Sequence, residues 1–266
     1  MSSQYEERYA QLVREILVEG NSRETRNAPT RATFGKMLVV NELSWGQFPI
    51  LSCRKMYPRG VLGEFAAFLK GPKSVEDFTN EGCNYWNKWA ADDGSLTLDY
   101  GNLWRDFNGV DQIDELLNSL STDPHGRRHI ISGWNPANLG SVTLPCCHLL
   151  YQWFVEGNSL QMIWYQRSVD TMIGLPSDVI LAAAWNILIA EHLGLNPGKL
   201  VFMLGDTHIY ESHVENAFEY VRRVEQDRGL SECPTYLNEG TIDDFHADSI
   251  SLIEYDPLSP IYFELH

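Results

Sequence analysis

The chain is 266 residues long, carries a formal charge of −16 at neutral pH and has a sequence pI of about 4.8. That length suits one large α/β domain or two small ones, and 44% hydrophobic residues supply a sizeable core, which argues against a disordered chain. So acidic a surface argues against nucleic-acid polymers as partners but not against a single nucleotide, because a few arginines can reverse the potential inside one cleft.

Tyr5 to Glu19 places Tyr9, Leu12, Ile16 and Leu17 on one helical face, and Gly20 ends that helix. The charged, amphipathic start does not read as a secretion signal. Residues 21–31 form a polar loop with three cations, Arg23, Arg26 and Arg31, and solvation is the expected role for most of them. Lys36–Val40 and Ile50–Cys53 read as strands. Gly60–Leu69 reads as a helix with Glu64 inside its apolar face, where a lone glutamate usually reaches water at the edge. Asn84–Trp89 holds two tryptophans three apart, the spacing of a helical core stripe, and Asp99-Tyr100-Gly101 follows. Val110–Leu120 is an amphipathic helix, Asp123–Arg128 a turn ending in paired arginines, and His129–Trp134 a strand.

The stretch from Leu144 to Asp178 is the densest in chemistry. His148–Val155 and Leu160–Gln166 alternate as strands around a Glu156-Gly157-Asn158 turn. Cys146 and Cys147 precede this hairpin, and alternation puts them on opposite faces, so only one can face a ligand. Arg167-Ser168 closes the second strand with a cation and a hydroxyl, a pair suited to phosphate oxygens. Ser177 is the expected N-cap of an apolar helix, Asp178–His192, that Gly194 ends. The longest apolar run, Val179–Leu188, is broken by Asn186 and falls far short of the roughly 20 residues that span a bilayer. Lys199–Leu204 is a strand running into Gly205–Tyr210, where His208 and Tyr210 can point together. Strands with crossing helices predict a mixed α/β (α+β) domain over residues 1–266. Five cysteines, an odd number without disulfide spacing, predict a reducing, cytoplasmic setting. The tail, ending IYFELH, is long enough to fold over a cleft.

PCCH followed by YQRSVDTMIGLP, with GDTHIY downstream, resembles the signature segments of the thymidylate synthase family, and the spacing from Cys147 to Arg167 is that family's own. The resemblance runs from about the GNSRETRN loop to the YDP near the C-terminus. It implies a large mixed sheet with packed helices and a homodimer formed through the sheet. It implies that Cys147 is the nucleophile and that Glu64 and Tyr100 serve the proton-transfer network. Arg26 (in a loop one residue shorter than the family's), Gln166, Arg167, Ser168, His208 and Tyr210 fall at nucleotide-binding positions. The paired Arg127 and Arg128 would reach across the dimer to the partner's phosphate. Trp86, Asp170, Leu144 and Arg54 match positions for the co-substrate, 5,10-methylenetetrahydrofolate, with no metal. Trp89 is expected to pack, as is Cys146, which replaces the family's usual proline. His148 matches a histidine near the pyrimidine C4 side and is given no role as a base.

In chemistry of this kind a thiolate adds at pyrimidine C6, which makes C5 an enamine carbon able to attack a one-carbon donor. That calls for a cysteine of lowered pKa in the field of nearby arginines. Asp178 stands where the family has a uracil-reading asparagine, as in its deoxycytidylate-hydroxymethylating branch. Uracil offers a donor at N3 and an acceptor at O4, and cytosine reverses both. A neutral carboxyl group, or an ionised one facing a protonated N3, matches cytosine. The plainer role for Asp178 is capping its helix. The leading expectation is therefore hydroxymethylation of dCMP at C5 from methylenetetrahydrofolate and water. Its rivals are dCMP methylation with release of dihydrofolate, thymidylate synthesis from dUMP, and a catalytically silent nucleotide-binding relative. The polar Glu264 and His266 of the tail are where water could be held near the cleft.

Overall fold

In the computed structural model, which describes residues 3–226, 228–229 and 232–266, the chain forms one six-stranded mixed sheet, a two-stranded ribbon and a set of packed helices. Helix α1 (Gln4–Glu19) is capped by the Ser3 hydroxyl, which accepts from the Glu6 N–H, and Gly20 N–H closes its last turn on the Ile16 carbonyl. Strands β1 (Asn21–Arg23) and β2 (Thr30–Val40) follow, then α2 (Pro58–Lys70), which has proline in its first turn and a left-handed glycine, Gly71, at its end. Next come the short α3 (Val75–Thr79) and α4 (Asn102–Arg105), α5 (Gln112–Thr122) and β3 (Ile130–Ser132). The hairpin β4 (His148–Glu156) and β5 (Ser159–Asp170) leads through α6 (Gly174–Leu193) to β6 (Asn196–Tyr210). Helix α7 (Val214–Glu225) and the ribbon β7 (Thr235–Asn238) and β8 (Ile250–Ile253) complete the order.

The strand order in the large sheet is β1-β2-β6-β5-β4-β3. Only β5 and β6 run parallel, because α6 carries the chain between them; the other neighbours are antiparallel. By length and composition α6 could cross a bilayer, but the fold packs it on β5 and β6. Its Asn186, fully buried, donates to the Leu160 carbonyl at 2.9 Å, so the polar break in the apolar run is a tie to the sheet. Beneath the sheet's end, Trp104, Tyr151, Trp153, Trp164 and Trp185 interlock, with Trp104 and Trp185 ring centroids 4.2 Å apart. The register aligns Met37 of β2 with Met203 of β6 and Met203 with Tyr165 of β5. Met37, Met203 and Phe154 on this face are 46–65% exposed, an apolar surface of a kind that marks an interface.

Several expected elements differ. Part of the polar loop is strand, since Asn21 to Arg23 pair with Ala32 to Thr30. Residues 50–52 form no strand, because the Ser52 and Cys53 amides are taken by the Glu6 carboxyl group instead of a ladder. Residues 84–89 are not a helix; only Asn87–Trp89 makes a 3₁₀ turn. Ser177 is not an N-cap. Helix α6 starts earlier, at Gly174, and Ser177 donates back to the Ile173 carbonyl at 2.9 Å. Asp170 fixes the turn leading into α6, its Oδ1 accepting from Met172 N–H at 2.9 Å and Ile173 N–H at 3.3 Å.

Candidate active site

The carboxyl ends of the parallel pair β5 and β6, the start of α6 and the middle of α2 enclose a cleft of about 990 Å³. A cleft at that end of parallel strands is where such sheets bind ligands. Glu64, Trp86, Tyr100, Leu144, Cys147, Gln166, Arg167, Ser168, Asp170, Asp178, His208 and Tyr210 all line it, as do Arg26 and Arg54. Arg127 and Arg128 do not. They are exposed beside β3, outside this chain's own cleft.

Alternation around the start of β4 buries Cys146 and turns Cys147 to the cleft, as expected. Cys147 Sγ lies 3.8 Å from Arg167 Nη2, and the same guanidinium donates to the carbonyls of Cys146 at 2.7 Å and Pro145 at 2.9 Å. Tyr100 accepts the Cys147 N–H through its phenol oxygen at 2.5 Å. The expected lowering of the thiol pKa is not what this arrangement yields. Burial pushes the Cys147 thiol up, and Arg167 and then Tyr100 offset that only in part.

Glu64 projects from α2 and accepts the Trp86 indole N–H at 2.8 Å. Burial pushes its carboxyl up to about 7, with the Trp86 bond pulling the other way. Trp86 is therefore an orienting residue as well as a wall: it is buried, stacks on Phe78 and spends its N–H on Glu64. Trp89, expected only to pack, is the more exposed of the two and lines the same cleft, with Lys88 over its ring.

Asp178 is buried in the first turns of α6, and its Oδ2 accepts from Gln166 Nε2 at 2.6 Å. Its Oδ1 is 3.9 Å from His148 Nε2. Burial foremost, then the nearby Glu64, holds the Asp178 carboxyl well above the usual range. Burial pushes His148 down to about 3, so its imidazole is neutral. Its Nδ1 is 2.5 Å from the Tyr151 hydroxyl. Gln166 Oε1 is buried without a hydrogen-bond partner among the described residues, an orphaned acceptor in the wall of the cleft.

His208 and Tyr210 do point together, with ring centroids 5.2 Å apart. His208 Nδ1 is 2.9 Å from Asp206 Oδ1, and Arg23 donates to the other oxygen at 2.5 Å. The bond to His208 is the main reason the Asp206 carboxyl lies below its usual range. Arg31 turns away to Glu211 and the Leu17 carbonyl, which leaves Arg26 as the loop arginine at the cleft.

The tail does fold over the cleft. The Glu264 carbonyl is 2.8 Å from His213 Nε2, and Asn216 donates to the Tyr262 carbonyl at 2.8 Å. His266 is 2.7 Å from the Ser212 hydroxyl and rests on the Tyr210 ring at 4.4 Å. His213 and Asn216 were not foreseen. The sequence signal was their position directly after GDTHIY, His213 in a short 3₁₀ turn and Asn216 in the first turn of α7. Among the described residues no group of three His, Cys, Asp or Glu is arranged to hold a metal ion.

A family profile described as Thymidylate synthase matches residues 7–266. A thymidylate synthase of Corynebacterium aurimucosum is 35% identical over 263 residues, covering 97% of this chain and 96% of that protein. A match of this extent, over a chain whose cysteine, arginine and carboxyl groups converge on one cleft, means that the chain belongs to the thymidylate synthase family.

Proposed function

We propose that this protein transfers a one-carbon unit to C5 of a pyrimidine deoxynucleotide, with dCMP as its preferred substrate and 5-hydroxymethyl-dCMP as product. The observation that carries the choice of base is Asp178 buried against its Gln166 partner, a burial that pushes its carboxyl well above the usual range and so toward the neutral acid. Gln166 Nε2 donates to Oδ2, so the proton of the neutral acid resides on Oδ1. Oδ1–H then donates to cytosine N3, while Oδ2 keeps a lone pair for the N4 amino group. Uracil would meet a donor at N3 and an acceptor at O4, wrong on both counts.

The rest of the site fits this reading. Arg26 and Arg167, with the partner's Arg127 and Arg128 joining across the sheet face of Met37, Met203 and Phe154, suit the phosphate. His208 and Tyr210 suit the sugar hydroxyl. Cys147 adds at C6, and Tyr100, whose phenol oxygen accepts from the Cys147 backbone N–H, is the group assigned to moving the C5 proton. Because Cys147 is buried toward its thiol form, its proton must leave as the bond to C6 forms. Glu64, titrating near neutrality, can hold or release a proton within the working range. The remaining volume, walled by Trp86, Trp89, Leu144 and Asp170, fits a flat heteroaromatic ring system. When bound there, 5,10-methylenetetrahydrofolate supplies the one-carbon unit.

A second reading, thymidylate synthesis from dUMP, is favoured by the thymidylate synthase relative. One experiment separates them. Purified protein is incubated with the folate and either dCMP or dUMP, and the product is identified by mass while dihydrofolate is followed by absorbance. 5-Hydroxymethyl-dCMP without dihydrofolate supports the proposal. 5-Methyl-dCMP with stoichiometric dihydrofolate changes the terminal step alone, and turnover of dUMP in preference to dCMP refutes the base assignment.

A further inference from the structure

Glu6 lies in the first turn of α1, fully buried and away from the cleft. A carboxyl group in such a place needs a reason, because burial without partners is costly. Its oxygens accept from the Ser52 N–H at 3.0 Å, the Cys53 N–H at 2.7 Å, the Ser52 hydroxyl at 2.5 Å and the Tyr220 hydroxyl at 3.0 Å. Two of these donors are backbone amides of one loop, so Glu6 fixes the path of that loop.

The loop leads to the tail and to the cleft. The Ser52 carbonyl accepts from the Leu258 N–H at 2.8 Å. The Cys53 carbonyl accepts from Arg223 Nη1 at 3.1 Å, and the same nitrogen donates to the Ser259 carbonyl at 2.7 Å. Arg54 comes next in the chain. Its guanidinium, buried, donates to the Met172 carbonyl just ahead of α6 and lies 4.8 Å from the Phe263 ring and 5.8 Å from the ring of Tyr220. Tyr220 thus serves both ends: its hydroxyl goes to Glu6 and its ring faces Arg54.

We propose that Glu6 is a positioning residue for the co-substrate side of the cleft: by fixing the Ser52–Cys53 backbone it places Arg54 and the base of the C-terminal tail. The role of that side of the cleft rests on the function proposed above, but the linkage from Glu6 to the tail does not.

The test uses the full-length protein with Glu6→Gln and Tyr220→Phe. Glutamine keeps the size of the side chain but turns one acceptor oxygen into an amide N–H₂ facing donors. Phenylalanine keeps the ring beside Arg54 and removes one of the donors. Hydrogen exchange read by mass spectrometry on peptides covering 255–263 should quicken by about fivefold to tenfold in Glu6→Gln and less in Tyr220→Phe, as expected for loss of buried hydrogen bonds. Peptides from 178–190 should be unchanged. In turnover, KM for the folate should rise several-fold while KM for the nucleotide holds. If Glu6→Gln does not fold, Tyr220→Phe carries the test alone. Exchange that is unchanged in the tail, or that rises equally in 178–190, overturns the proposal. A loosened tail in a protein without folate-dependent turnover leaves this inference standing and removes the functional reading. Turnover with an unmoved tail does the reverse.

Discussion

Replacing Asp178 with asparagine tests the base choice most directly. In the wild type Gln166 Nε2 donates to Oδ2 at 2.6 Å, and burial keeps the acid neutral. In the uracil-reading orientation, asparagine puts its oxygen in the place of Oδ1, where it accepts from N3–H, and its N–H₂ group in the place of Oδ2, where it donates to O4. Gln166 then turns its amide so that Oε1, unpartnered in the wild type, accepts the second amide N–H, and both hydrogen-bond polarities toward the base reverse relative to the acid. Each buried group left mismatched costs about 1–3 kcal/mol. With tenfold per about 1.4 kcal/mol, one mismatch swings the ratio of kcat/KM for dCMP over dUMP by roughly tenfold. Two mismatches acting together approach about a thousandfold. Because the residues are of equal size, packing around α6 changes little. The assay is direct competition: equimolar dCMP and dUMP in one tube, with the two products counted by mass. A wild type that consumes dUMP first, or an asparagine variant whose product ratio stays within twofold of wild type, would refute the reasoning.

Three other outcomes are expected. Cys147→Ser should abolish tritium exchange at C5 of the nucleotide, whereas Cys146→Ser, altering a buried sulfur turned away from the cleft, should retain most of it; equal loss in both would leave the nucleophile unassigned. Glu64 has a folded pKa of about 7, above its unfolded value, so the native state binds the extra proton. Its contribution is intact below about pH 4.5 and is lost as pH rises through 7, by at most about 3 kcal/mol. The advantage of Glu64→Gln over wild type in urea unfolding should accordingly be larger at pH 8 than at pH 5, and a constant difference would count against a buried, raised Glu64. Met37→Asp with Met203→Asp should convert a dimer to monomers in sedimentation equilibrium; an unchanged mass would place the subunit contact elsewhere.

What the sequence displayed well was anything with a period or a fixed turn. The hairpin around Glu156-Gly157-Asn158, helix α1 and helix α2 follow from alternation, apolar spacing and capping residues, and they appear nearly where expected. The opposite facing of Cys146 and Cys147 follows from strand geometry alone. The failures share a cause: long-range hydrogen bonds that no local pattern encodes. Ile50–Cys53 has the composition of a strand, yet its amides answer to Glu6, 46 and 47 positions earlier. Ser177 looks like a cap, but Asp170 fixes the turn at Met172 and Ile173 and the helix already begins at Gly174. The tail contacts of His213 and Asn216 depend on residues some 46 to 51 positions apart. The pKa of Cys147 went the other way from expectation because the arginine was visible in the sequence and the burial was not.

The charge of −16 and an anionic ligand are reconciled inside the cleft. Among the described residues its lining holds five cations, Arg26, Arg54, Lys55, Lys88 and Arg167, against four carboxyl groups, Glu64, Asp170, Asp178 and Asp206. Those carboxyl groups are not equal. Burial pushes Asp178 well toward its neutral form, and Glu64, titrating near 7, is only partly charged at neutral pH. Asp206 is ionised, but Arg23 and His208 occupy its two oxygens. The side chains lining the cleft therefore lean toward positive charge although the protein is strongly acidic. Desolvation does two jobs at once. It favours the protonated form of Asp178, which on the proposed function distinguishes cytosine from uracil, and it lessens the negative charge of a pocket proposed to accept a phosphate. An ionised Asp178 would oppose a phosphate's charge and would pair with cytosine only where N3 itself carries the proton. On that proposal the same proton favours both base selection and phosphate tolerance, and the burial that α6 imposes on Asp178 is what retains it.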